Sequence, residues 1–326
     1  MNTTSDTKQT GGRRSFLPAA INLRDAGTLL GLALIFIVFA VLNPVFLTIP
    51  NLLNILQQSS INACIALGMT FVIISGGIDL SVGPAAAISA VAGAALMTAG
   101  VPLPVALLGA VGTGMLCGLF NGCLIAFAGL QPFIVTLGGL SLYRALALIF
   151  TDGNPIFGIP PEFRSFINGD VLGVPVPVLI VGLIAVILWV VLNRSPFGEY
   201  ILAVGGNQEA ARIAGVPVAR TKITVYVMSG GLAAIAALIL MGRLGAADPT
   251  MGNLWELDAI AAAAIGGASL MGGKGSVIGT LLGAVILGAL RNGLTLMNVQ
   301  AFYQLLATGI IIIVAMLIDR ATRGRA

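Results

Sequence analysis

Ten apolar stretches recur along this chain of 326 residues, near 26–43, 50–75, 83–99, 103–128, 131–150, 176–193, 222–242, 257–272, 276–291 and 301–318. A bilayer core of about 30 Å is crossed by roughly 20 apolar residues in a helix. Within lipid a lone segment satisfies its backbone groups only as a helix. The pattern therefore predicts an all-α polytopic membrane protein with about 10 transmembrane helices. The eighth and ninth spans are short and separated only by GGKG. The second carries Asn51, Asn54, Gln57, Gln58 and Asn62, so at least one of its faces turns away from lipid.

Composition excludes the other classes. Hydrophobic residues make up 58% of the chain and charged ones 9%, against about 25% charged in a soluble domain. Sixteen basic and 12 acidic side chains cannot keep a soluble enzyme of this length dissolved. The apolar content is equally incompatible with disorder. There is no His, so no imidazole serves as base, proton shuttle or metal ligand. Cys64, Cys117 and Cys123 lie in apolar stretches, form no C-x-x-C pair, and read as small buried thiols. Neither a metal site nor a cofactor is expected.

The net charge of +4 reflects topology rather than nucleic-acid binding. With an even number of spans and both termini in the cytoplasm, twelve of the 16 Lys and Arg residues fall in cytoplasmic segments; only Arg144, Arg164, Arg243 and Arg291 lie outside or at outer helix ends. The positive-inside rule then assigns a cytoplasmic tail at 1–25, a permease domain at 26–320 with a cytoplasmic loop at 194–222, and a second cytoplasmic tail at 321–326. GRRSFLP at 12–18 imitates a twin-arginine export signal, but Arg24 and Asp25 interrupt the stretch after it and no cleavage site precedes the first span.

The 43 glycines form small-residue runs within spans, such as Gly112, Gly114 and Gly118, and Gly279, Gly283 and Gly288. Such faces let helices approach closely where no hydrophobic effect drives association. L-x-N-G at 119–122 and again at 290–293 suggests an internal repeat. SGGIDLSVG at 75–83 puts Asp79 among glycines between two apolar runs, either as a capped turn at the membrane surface or as a broken-helix element lining a polar path. GGASLMGGKGS at 266–276 resembles a phosphate loop without being one. Five residues separate Gly267 from Gly273, Gly275 follows Lys274, and no strand precedes it. If ATP drives this chain, another subunit binds the ATP.

Loop 194–222 is the only long cytoplasmic connection. Asn207 is placed to cap a short helix over 208–214, Gly215 to stop it, and Pro217 to prevent its continuation. The result is a small helix outside the membrane, either a solvated connector or a docking element.

At this loop GGNQEAARIAGV, taken with NLLNILQQSSINACIALGMTFVIISGGIDLSVG at 51–83 and ELDAIAAAAIGGASLMGGKGSVIGTLLGA at 256–284, resembles the permeases of bacterial ABC importers. The likeness is strongest to the ribose-type sugar permeases, within the larger group that includes branched-chain amino-acid permeases, and it covers residues 25–320. It implies a non-catalytic, multi-pass subunit of the bacterial inner membrane. The implied partners are a second permease protomer, in a homodimer, a cytoplasmic ABC ATPase subunit and a periplasmic sugar-binding protein. It also implies a coupling helix that seats in the ATPase, mapping onto Gly205, Gly206, Asn207, Glu209, Ala210, Arg212 and Gly215. A neutral sugar calls for amides and hydroxyls along its route, and Gln57, Asn62, Asp79 and Asn121 are the candidates. Each reads also as a polar contact between helices.

Two rivals remain. An ion-coupled secondary sugar symporter carries ionisable residues within its spans, and Asp79, Arg144 and Asp258 come nearest to that. A membrane enzyme needs clustered carboxylates, and Glu256 with Asp258 is the only close acidic pair in the membrane body. The identity of the sugar is left open.

Overall fold

The computed structural model describes residues 23–323. GRRSFLP, Arg325 and the side chains of Arg24, Arg320 and Arg323 lie outside what is described. The elements in order are α1 (Leu23–Leu42), α2 (Ile49–Ile74), α3 (Val82–Thr98), α4 (Leu103–Phe127), α5 (Pro132–Thr151), α6 (Pro161–Asn168), β1 (Asp170–Val171), β2 (Val174–Pro175), α7 (Val176–Arg194), α8 (Pro196–Gly206), α9 (Gln208–Ile213), α10 (Val218–Leu244), α11 (Trp255–Ile265), α12 (Val277–Leu296) and α13 (Ala301–Arg323). Proline in the first turn opens α2, α4, α5, α6, α7 and α8, where its missing N–H costs no helical hydrogen bond.

Among the described residues, six helices are long and apolar enough to cross a membrane: α2, α4, α5, α7, α10 and α12. Shorter apolar segments occupy Thr28–Leu42, Val82–Thr98 and Ala301–Ile311. The stretch expected as an eighth span, 257–272, resolves into α11 and a glycine loop. At 11 residues, α11 is about 16 Å long, half the thickness of a bilayer core. The connection 151–175 contains α6 and a two-residue antiparallel hairpin, β1 with β2. That hairpin is a minor departure from the all-α expectation.

α2 and α10 run through the centre of the bundle, with most of their side chains buried. α1, α4, α5 and α7 surround them and expose Leu34, Val41, Leu108, Leu116, Ile149, Phe150, Leu183 and Val186 outward, as lipid-facing surfaces do. Packing follows a two-fold scheme. α10 packs on α3 and α4, α2 packs on α11 and α12, and the two central helices pack on each other. α5 joins α3 as α13 joins α11. The scheme pairs α2–α5 with α10–α13, and so pairs Asn121 in α4 with Asn292 in α12, the two asparagines of L-x-N-G. The same pairing aligns DLSVGPAAAI at 79–88 with ELDAIAAAAI at 256–265. The packing of the helices thus runs parallel to the sequence repeat.

Of the glycine runs, Gly114 and Gly118 face α10. A methyl group on Gly118 would lie 2.1 Å from the Tyr226 carbonyl oxygen. Gly279 and Gly283 meet α11, and Gly288 meets Ser59. Gly112 has open space where a side chain would be, so it is not part of the packed face. Cys64 and Cys117 are buried, as expected, whereas Cys123 is only half-buried.

The bundle has two end faces. On one, Thr28 of α1 donates to the Ile265 carbonyl at the end of α11 (3.1 Å), near the elbow formed by α8 and α9. On the other, Asn43 reaches the Leu296 carbonyl (3.3 Å), Asn168 reaches that of Gly242 (3.1 Å), and Ile156 pairs with Ala247.

Candidate functional site

The elbow face carries the expected coupling segment. Beyond α7, Ser195 caps α8 by accepting from the Gly198 amide (3.3 Å). Asn207 then caps α9 by accepting from the Ala210 amide (2.9 Å). Gly215 follows at φ 85°, a left-handed conformation in which glycine pays no Cβ penalty. Gly206, Asn207, Glu209, Ala210, Arg212 and Gly215 are exposed, and Ala211 alone of the α9 residues is buried. Ile213 is 79% exposed, an apolar side chain held out beside the Glu209–Arg212 ion pair (2.6 Å). The hydrogen bond from Arg212, with its charge, holds the Glu209 carboxyl below its ordinary range. Lys222 closes the elbow by donating to Gln208 (2.6 Å).

Gly205 differs from its neighbours because it is packed. Its Cα faces the last carbonyl of α2, and a methyl group there would lie 1.7 Å from the Ile74 oxygen and 2.6 Å from the Gly273 nitrogen. Gly273 donates to that same Ile74 oxygen at 2.8 Å, and Gly272, at φ 89°, lies against the Gly205 carbonyl. The three segments that carried the family resemblance therefore converge backbone to backbone: the end of α2, the end of α8, and the glycine loop between α11 and α12.

A second cluster lies within the bundle. The chain leaves α2 at Ile74 and turns back, so that Asp79 meets Ser229 in the middle of α10. Asp79 accepts from the Ser81 amide (3.0 Å), the Ser81 hydroxyl (2.6 Å) and the Ser229 hydroxyl (3.1 Å). Asn121 donates to Ser81 (2.8 Å) and accepts from Tyr143 (2.8 Å). Thr136 of α5 bonds the Ile78 carbonyl (3.2 Å). Asp79 is 2% and Asn121 0% exposed. The turn therefore lies inside the bundle, tied to α4, α5 and α10, and the N-cap of α3 is Ser81 rather than Asp79.

The four residues expected along a sugar path separate into two groups. Asp79 and Asn121 share the buried network. Gln57 lies elsewhere, on the wall of an open cavity near the opposite face, and Asn62 is half-buried farther along α2.

Several polar residues were not singled out as site residues. Arg144 donates to the carbonyls of Pro249 (2.6 Å) and Met251 (2.8 Å), pinning the irregular segment before α11. Gly252 of that segment packs on Gly83. Asp258 pairs with Arg291. Tyr226 and Glu256 each bury a side-chain oxygen with no partner. No sequence pattern marks these contacts, because each joins elements far apart in the chain. Among the described residues, no group of three or more Cys, Asp or Glu could hold a metal.

Comparison with known proteins gives a consistent picture. The family model for the permease component of branched-chain amino acid transport systems matches residues 51–316. The chain is 47% identical over 300 residues to the ribose import permease protein RbsC of Bacillus subtilis (strain 168), covering 91% of this chain and 93% of that protein. It is 41% identical over 296 residues to the D-allose transport system permease protein AlsC of Escherichia coli (strain K12), covering 90% and 91%. It is 35% identical over 343 residues to the xylose transport system permease protein XylH of the same organism, covering 86% and 87%. No solved structure matches.

Proposed function

The chain belongs to the family of permease components of branched-chain amino acid transport systems, and from that premise we propose that it is the membrane-spanning subunit of an ATP-driven sugar importer. Its relatives are named for ribose, allose and xylose, and a monosaccharide is the cargo. It catalyses no reaction; a cytoplasmic ABC ATPase hydrolyses the ATP, a periplasmic binding protein delivers the sugar, and a second copy of the permease completes the path in the inner membrane.

The chain crosses the bilayer ten times in this reading. α3 and α11 each complete a crossing together with an irregular lead-in, 75–81 and 245–254, and both termini face the cytoplasm with α9. Broken spans of this kind are where transporters gather their polar groups.

One observation carries the proposal. An exposed, doubly capped elbow, with Gly205 wedged against Ile74 and Gly273, connects a docking surface directly to α2 and to the loop between α11 and α12. Closure of the ATPase dimer moves α9, and Gly205 passes that movement to the central helix. The nucleotide biases the equilibrium only through its different affinity for the two ATPase states, while the permease supplies two packings of one bundle. Gln57 and Asn62 face the sugar's route, and the Asp79–Asn121 network braces the wall behind it.

The test uses the complete complex in proteoliposomes. Glu209→Lys and Gly215→Trp each leave the bundle folded and ATP hydrolysis active but abolish sugar uptake. Full uptake in both variants removes the coupling assignment. Uptake by the permease alone, driven by an ion gradient without the ATPase, establishes the symporter instead.

A further inference from the structure

We propose that the cavity between α2, α6 and the end of α10 is a receiving site for an uncharged polyol, where a sugar pauses on leaving its carrier; this rests on the importer reading above. The cavity has a volume of about 430 Å³ and is lined by Gln57, Gln58, Asn168, Leu240, Arg243 and Leu244. That size falls within the range of small-molecule pockets, about 300–1,000 Å³. It lies on the side of the molecule away from α9, close to where Asn168 bonds the Gly242 carbonyl.

The polar groups around it are committed to unequal degrees. Asn168 spends its amide nitrogen on the carbonyls of Arg164 (2.8 Å) and Gly242 (3.1 Å), leaving its oxygen to accept. Gln58 spends its nitrogen on Asn54 (3.0 Å), again leaving its oxygen. Among the described residues, Gln57 makes no hydrogen bond, and Arg243 has neither a hydrogen bond nor a carboxylate partner. A half-buried guanidinium with its whole fork unused points to a ligand rich in oxygen.

The surrounding groups decide what kind of ligand that is. An anion offers only acceptors and wants donors on every side. Here the oxygens of Gln58 and Asn168 and the whole amide of Gln57 stand beside one guanidinium, so the wall offers acceptors as well as donors. A hydroxyl group is both donor and acceptor, so adjacent hydroxyls satisfy the fork and the amides together. Leu240 and Leu244 supply the apolar surface against which a sugar's C–H face rests.

Two measurements test the site. In the complete complex, Arg243→Gln lowers D-ribose uptake roughly tenfold, equivalent to one lost hydrogen-bonding partner, while ATP hydrolysis stimulated by the binding protein continues. Arg243→Lys, which keeps the charge but not the fork, falls on the same side. Independently, a thiol reagent labels the purified Gln58→Cys permease, and millimolar D-ribose slows that labelling. Undiminished uptake in Arg243→Gln overturns the site, as does labelling of Gln58→Cys that ribose leaves unchanged. Protection by ribose 5-phosphate or by an anionic phospholipid, but not by ribose, also overturns it and makes Arg243 a phosphate contact. Failure of the wild-type complex to import any sugar removes the importer reading; uptake by wild type and variants alike removes only this site.

Discussion

Gly205 and Gly206 are neighbours in sequence, yet a methyl group added to each would meet opposite surroundings. At Gly205 it would fall 1.7 Å from the Ile74 carbonyl oxygen; at Gly206 nothing lies within 4 Å. Both residues are helical, where alanine is favoured over glycine by up to about 1 kcal/mol. Gly205→Ala is therefore expected to cost about 1–3 kcal/mol through overpacking, and Gly206→Ala to be neutral or slightly stabilising. Thermal melts of the purified permease in detergent compare the two, and equal melting temperatures would remove Gly205 from the joint. The sequence marks both glycines identically, because close approach of backbones leaves no trace in residue type. What it did carry was the dipeptide's place just before a helix-capping asparagine.

The turn between α2 and α3 is held by its own Asp79 and Ser81 together with Ser229, Asn121 and Thr136, rather than by helical bonds. Asp79 accepts three hydrogen bonds there, two from Ser81 and one from Ser229. Asp79→Ala leaves those buried donors unpaired, and an unsatisfied buried group costs about 1–3 kcal/mol. Asp79→Asn keeps an acceptor for Ser81 and offers a donor to the Ser229 oxygen, so it stays within about 1 kcal/mol of wild type by the same reckoning. Melts of the two variants check the brace; an alanine variant as stable as wild type would show that the turn needs no carboxylate. Element boundaries were legible wherever local chemistry sets them. Asn207 and Gly215 mark α9 to within a residue. α8 was missed although Ser195, Pro196 and Glu199 form a recognisable helix start, because its apolar residues read as part of a loop joining two spans. α11 was overestimated, since an apolar run does not reveal where a helix gives way to a glycine turn.

Topology of the whole molecule rests on which end face is cytoplasmic. Leu172, at the hairpin turn, is 99% exposed, and Ile213 of α9 is 79% exposed. They stand at opposite ends of the bundle. With Cys64, Cys117 and Cys123 replaced by alanine, an impermeant maleimide is expected to label Leu172→Cys on intact cells and Ile213→Cys only after the membrane is opened. Labelling of Ile213→Cys from outside would invert the molecule and end the coupling assignment. At this scale the sequence was informative about membrane residence, through its apolar runs. The two-fold pairing of α2–α5 with α10–α13 was only hinted at by L-x-N-G, because packing partners are chosen in three dimensions. The contact of Gly205 with Ile74 and Gly273 carries one last consequence. Long side chains absorb displacement by changing rotamer, but facing main chains have no such play. In the coupling proposed above, a shift of a fraction of an ångström at the elbow would therefore reach the central helix with little loss, as through a gear cut without backlash.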